Sequence, residues 1–220
     1  MGSLNRAHVA TRQGTGPNNA DAATTVTAPD GTVAAAVVDL AGHDEGAPLL
    51  AERLAWAATE IGVRRGATTG ALTAAALTEN FAPGAGPDGA VVVAVAVPGR
   101  DIELCVAGDA VAYSWNGRHL ALRTIPQGVG EQLYVSLATA VAPIVGRSRA
   151  PEEELLLLLS DGADLGLKAL EALAREHTDP QALADAIVAA AGPDEEGKRD
   201  DATAIVISVG PAREFRRRAP

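Results

Sequence analysis

Six aspartates stand where apolar stretches begin or end. Asp39 closes the run AAAVVD, Asp109 follows LCVAG, and Asp161 follows LLLLLS. Asp200 and Asp201 immediately precede ATAIVISV, and Asp21 precedes ATTVTA. An ionised carboxylate at the end of a buried strand is costly unless it is paired or holds a metal. Cations in the chain do not balance these acids. Lys198 and Arg199 adjoin Asp200, but no Lys or Arg lies within several residues of Asp39 or Asp161. Acids converging on one point would repel one another, and a hard divalent cation resolves that repulsion. Oxygen donors with retained waters suit Mg²⁺ or Mn²⁺. Two such ions close together acidify a bridging water and neutralise phosphoryl oxygens, so a phosphate ester can be hydrolysed without a side-chain nucleophile. Taken singly, Asp109 and Asp161, each beside a glycine, also read as ordinary turn residues. It is the set that points to a metal site.

The elements that must position these acids follow from periodicity. Residues 23–28 and 32–39 read as strands joined by the turn Pro29-Asp30-Gly31, a hairpin. From Pro48 to about Val63, Leu50, Leu54, Ala57, Ala58 and Ile61 recur at helical spacing, and a second helix is predicted over 69–81. The Pro- and Gly-rich stretch 83–87 is a loop. Strands are predicted over 90–97, 102–107 and 110–115, with Asn116-Gly117 turning into a return strand over 118–123. Residues 125–131 read as loop, and 134–142 fit either a strand or a short helix. A buried strand over 154–159 leads to helices over 165–177 and 180–191, the second opened by Asp179 and Pro180. A last strand covers 202–209. Hairpins with helices in two sequential pairs predict an α+β domain, antiparallel sheets carrying helices on their outer faces. No repeat or linker divides the chain, so residues 1–210 read as one domain and 211–220, with Arg216, Arg217 and Arg218, as a mobile basic tail.

The chain has 220 residues, enough for one substantial core. Its 18 Lys plus Arg against 28 Asp plus Glu give a net charge of −10, which argues against nonspecific nucleic-acid binding. A lone cysteine, Cys105, excludes an internal disulfide framework and reads as a small buried hydrophobe. No run approaches a membrane span and the first residues lack an apolar signal region, so the expectation is a cytoplasmic protein without membrane partners.

Five segments in order carry a resemblance: Asn19 to Ala23 (NADAA), Val37 to Gly46 (VVDLAGHDEG), Ala107 to Tyr113 (AGDAVAY), Leu155 to Gly162 (LLLLLSDG) and Arg199 to Ile207 (RDDATAIVI). Together they resemble the successive motifs of the metal-dependent serine/threonine protein phosphatases, the PPM or type 2C family, in its small bacterial form. The resemblance implies a four-layer α-β-β-α sandwich with two central antiparallel sheets. It implies two core Mn²⁺ or Mg²⁺ ions and a bridging hydroxide that attacks phosphoserine or phosphothreonine in a protein substrate, within a serine/threonine kinase pathway. By the same resemblance Asp39 would bridge the two ions, Asp161 and Asp200 would complete one of them, and Asp21 would act directly or through bound water. Asp109 falls where the family places a ligand for an additional, weaker ion. Leu40 falls where a glycine carbonyl meets a metal, a backbone role that leucine can fill unless φ must be positive.

Departures from the family pattern favour an alternative, a degenerate pseudophosphatase that binds phosphoproteins or regulates. The Asn-Glu-Asp motif reads Asn19-Ala20-Asp21, and the phosphate-binding arginine aligns with Gly16. Arg12, in the same stretch, is the candidate replacement. His43 is a candidate proton donor to the leaving oxygen or a plain loop residue. His8, His119 and His177 read as structural or solvated. Ser160 lacks the elbow of a serine hydrolase. Gly14-Thr15-Gly16 lacks the lysine and helix of a P-loop and reads as a flexible turn beside the metal site.

Overall fold

The third strand of the chain shows how the layers arise. Val33–Leu40 reads VAAAVVDL, and every residue but Asp39 is buried. A strand covered on both faces must lie inside a sheet with layers above and below. In a computed structural model that describes residues 5–78, 89–125, 146–148 and 154–209, it does. The strands are β1 (Arg6–Arg12), β2 (Asp21–Thr27), β3 (Val33–Leu40), β4 (Gly89–Ala96), β5 (Ile102–Ala107), β6 (Val111–Trp115), β7 (Leu120–Leu122), β8 (Gly146–Ser148), β9 (Leu155–Leu159) and β10 (Ala202–Ser208). One sheet has the order β1-β10-β9-β6-β7 and the other β2-β3-β4-β5-β8, and the pairings within both are antiparallel.

Alternation along each strand sorts side chains into the layers. Val33, Ala35 and Val37 of β3 meet Leu156, Leu158, Ile205 and Ile207 between the sheets. Ala34, Ala36 and Val38 face the other way, against helices α1 (Ala47–Arg65) and α2 (Ala67–Ala76) through Ala51, Leu54, Ala55 and Ala58. On the far side, helices α3 (Leu167–Glu176) and α4 (Pro180–Ala190) cover Leu157, Leu159 and Val206 with Leu170, Leu183 and Ile187. This is the expected four-layer α-β-β-α sandwich. The alanine-rich composition serves close packing: a Cβ on Gly70 of α2 would lie 2.3 Å from the Ala58 carbonyl of α1, so only glycine permits that crossing. Helix α4 is capped as expected, Asp179 accepting from the Ala182 N–H at 2.8 Å.

Two boundaries differ from expectation. The turn after β6 is a four-residue loop, because Asn116 keeps a negative φ while Gly117 alone is at +81°. The Asn116 carboxamide oxygen accepts from the N–H groups of Arg118 and His119, delaying the return strand to Leu120. Helix α2 ends at Ala76 rather than near 81, closing through the Leu77 N–H on Thr73 and Ala74 carbonyls. The short strand β8 was not expected. The predicted segment 134–142 and the basic tail 211–220 lie outside the described residues. Among those described, no helix is long and apolar enough to cross a membrane.

Candidate active site

Asp21 opens β2 and Asp39 lies near the end of β3, and the register sets them opposite each other. Both alternate in phase with Ala23 and Val37, so they face the space between the sheets. Strand β9 ends at the same edge in Ser160 and a single 3₁₀ turn, Asp161–Ala163, whose Ala163 N–H donates back to the Ser160 carbonyl at 3.1 Å. Strand β5 arrives beside them, and Gly108 at φ +81° turns the chain to Asp109. A Cβ at Gly108 would lie 2.6 Å from the Ala90 Cβ, so the turn also needs glycine for space. Asp200 and Asp201 come last, at the entry to β10.

The result is a cavity of about 230 Å³ lined by Asp39, Asp109, Asp161, Asp200 and Asp201, closed on one side by Leu40 to His43. Among the described residues, no Lys or Arg lines it. Asp21 lies beneath, 7% exposed, and both its carboxylate oxygens lack a hydrogen-bond partner among the described residues. Burial pushes its pKa up to about 7; the nearby Ser160 and Thr203 hydroxyls pull down, without closing full hydrogen bonds, while Asp201 and Asp161 add repulsion. Asp39 is held well above the ordinary carboxylate range by burial, then by the charges of Asp21 and Asp161, its hydrogen bond with Asp161, and Asp200. Asp109 and Asp200 are raised for the same two reasons, burial first and Asp161 second.

The chemistry of these donors, all carboxylate oxygens, suits a hard divalent cation. Buried oxygens without partners and carboxyls pressed toward protonation by one another are what a bound cation would relieve. As they stand, no three His, Cys, Asp or Glu side chains among the described residues are grouped tightly enough to hold one ion. The Leu40 side chain is buried against the α1 layer, and its φ is not positive, so leucine is accommodated there without backbone strain.

One expected residue sits elsewhere, and another sits where expected. Arg12 does not reach the acids. It pairs with Ala202, on the face of β10 that packs toward α3 and α4, while its neighbour Thr11 takes the inward side, 2.8 Å from the Thr203 hydroxyl. Alternation decides this: one register step separates a site residue from one on the opposite face. His43 does line the cavity, and its Nδ1 donates to the Asn18 carbonyl at 2.9 Å while lying 3.5 Å from Asp201. That leaves only Nε2 for proton transfer.

Sequence reasoning counted Asp201 among the strand-end acids without assigning it a separate role, and in the structure it organises the site. Its carboxylate, 3% exposed, accepts from the Gly14 N–H and the Ala20 N–H, each at 2.7 Å. The loop 14–16 is therefore anchored rather than flexible, with the Thr15 N–H also donating to the Arg199 carbonyl at 2.9 Å. The signal was legible: of two successive acids entering a strand, one must turn inward.

No family model matches the sequence, and no curated protein sequence matches it. Solved structures do. A bacterial serine phosphatase superposes with a TM-score of 0.73 at 14% identity, covering 94% of this chain and 99% of that one. The serine/threonine phosphatase Stp1 from Staphylococcus aureus gives 0.72 at 16% identity over 95% and 96% of the two chains. The fold is that of the PPM-type phosphatases. RsbX in complex with magnesium shares this PPM-type fold as well, at 0.69 and 11% identity over 94% and 96%.

Proposed function

We propose that this chain is a Mn²⁺- or Mg²⁺-dependent phosphatase that hydrolyses phosphoserine or phosphothreonine in cytoplasmic proteins, opposite a serine/threonine kinase. The observation that carries this reading is the Asp21–Asp39 pair: two carboxyls facing each other, one with both oxygens unsatisfied, beneath a cavity of further acids. Similarity to Stp1 supports the substrate class, and similarity to RsbX with magnesium supports the metal.

Asp39 would be shared between two ions, Asp161 and Asp200 would hold one of them, and Asp21 would act from below. Asp109 would serve a further, weaker ion, and Leu40 would contribute its carbonyl. Such ions supply charge to the phosphoryl oxygens and an acidified water. The chain supplies the rest. Asp21 and Asp39, buried and repelling each other, favour a divalent cation over a monovalent one. Asp201 fixes the loop over the site, and His43, oriented by Asn18, offers Nε2 to the leaving oxygen.

The test is a Mn²⁺ titration of p-nitrophenyl phosphate hydrolysis with Asp39→Asn as control. Saturable, metal-dependent turnover lost in the variant is expected. Full activity in a chelator would overturn the reading. A second reading, a pseudophosphatase that binds phosphoproteins, draws on one observation: among the described residues no arginine lines the acidic cavity, and Arg12 lies on a strand face turned to the other layer. Metal binding by calorimetry without any turnover would favour it.

A further inference from the structure

A second cavity, of about 410 Å³, adjoins the first and shares His43 and Asp200 with it. Its remaining wall is Thr15, Gly162 and the loop from Gly192 to Arg199. That loop is prefolded. Asp194 Oδ1 accepts from the Glu196 and Lys198 N–H groups, both at 2.8 Å, and the Asp194 N–H donates to the Lys198 carbonyl at 2.7 Å. Gly197 takes the positive φ the turn requires. The Arg199 backbone is fixed from the other side, its carbonyl accepting from the Thr15 N–H.

Charge in this cavity differs from that in its neighbour. Of the two acids on its wall, Asp194 is engaged by backbone N–H groups and Asp200 belongs to the acidic set. Lys198 is paired with Glu196 at 2.8 Å. Arg199 has no ion-pair partner among the described residues, although the chain as a whole carries a net charge of −10. A cavity adjoining the proposed phosphate-hydrolysing centre, fixed in backbone and with the exposed, unpaired Arg199 on its wall, is suited to the carboxylate of a neighbouring side chain.

We infer that this cavity is a subsite for the residue flanking the phosphorylated one, and that Arg199 makes it select acidic peptides. The inference rests on the phosphatase reading and names the specificity of that same site. Arg199 is a specificity-determining residue here and takes no part in bond breaking.

The test uses two phosphothreonine peptides that differ only in carrying Glu or Lys beside the phosphoresidue, assayed with Mn²⁺. The full chain is expected to favour the Glu peptide by about fivefold in kcat/KM, the effect of one charge-assisted contact at an exposed mouth. Arg199→Glu should abolish or invert that ratio, and Arg199→Lys should retain most of it. A damaged fold lowers both peptides together and leaves the ratio standing. A wild-type ratio near one, or a ratio unmoved by Arg199→Glu, overturns the inference while the phosphatase reading survives. If neither peptide nor p-nitrophenyl phosphate is hydrolysed, the phosphatase reading fails by itself. The preference is then measured as a ratio of affinities by fluorescence anisotropy: a preference for the Glu peptide that Arg199→Glu removes supports the subsite, and equal binding of the two peptides overturns it.

Discussion

Asp21 and Asp39 face each other across the β2–β3 pair, and neither has a cation beside it among the described residues. Burial and mutual repulsion raise both carboxyls above their ordinary range. A carboxyl whose folded pKa is raised binds its proton more tightly in the folded state than in the unfolded chain. Its contribution is therefore favourable at low pH and is lost as pH rises from about 4, the unfolded value, through about 7 for Asp21.

Metal-free protein should thus melt at lower temperature at pH 7.5 than at pH 5. Saturating Mn²⁺ should reverse the order, since a cation binds the ionised form. Thermal melts at the two pH values, with and without the ion, check this; a metal-free Tm that climbs between pH 5 and 7.5 would contradict it.

Asp39→Asn should separate stability from chemistry. Removing one of two facing acids relieves repulsion, so the metal-free Tm should rise by about 2–4 °C, the shift that roughly 1 kcal/mol produces in a chain of this size. Metal-dependent turnover should fall by about 100-fold or more. Calorimetry and phosphate-release assays on one preparation measure both.

Restoring the family residues should not rescue activity. A Cβ at Gly16 would lie 2.6 Å from the His43 ring, and Ala20 is 1% exposed with its N–H on Asp201. Gly16→Arg must displace His43, and Ala20→Glu buries a charge. Each should lower stability by about 1–3 kcal/mol. A double variant that is both stable and faster would show that the loop can be rebuilt more freely than its packing implies.

Arg12→Ala should leave KM for p-nitrophenyl phosphate within about twofold, because Arg12 lies on the helix-facing side of its sheet. A tenfold rise in KM would put its guanidinium back in the site.

Asp201→Ala should free two backbone donors and cost about 2–3 kcal/mol. Hydrogen exchange at the Gly14 and Ala20 amides, in the loop between β1 and β2, should quicken more than exchange within the two strands.

Much of this arrangement was legible in the sequence, and the gaps have physical causes. Strand-end acids announced themselves because ions at the end of an apolar run need an explanation, and Asp39, Asp109, Asp161 and Asp200 line one cavity. Leucine and valine runs marked the strands, and the paired helices marked the outer layers. Proximity along the chain misled for Arg12, since alternation on an unregistered strand leaves its face undetermined until Ala202 is found opposite. The anchoring role of Asp201 was missed because its partners, Gly14 and Ala20, lie 187 and 181 residues away. The Asn116 turn shifted by side-chain bonds that no dipeptide rule contains.

Strand β1 pairs with β10 along seven residue partners, and Asp201 fastens the β1–β2 loop to the far end of the chain. During synthesis, then, the acids on β2 and β3 leave the ribosome long before the strand and carboxylate that secure their loop. Contacts of such separation close late in folding. A nascent or prematurely terminated chain that lacks β10 would carry Asp21 and Asp39 without the carboxylate that ties down the loop beside them.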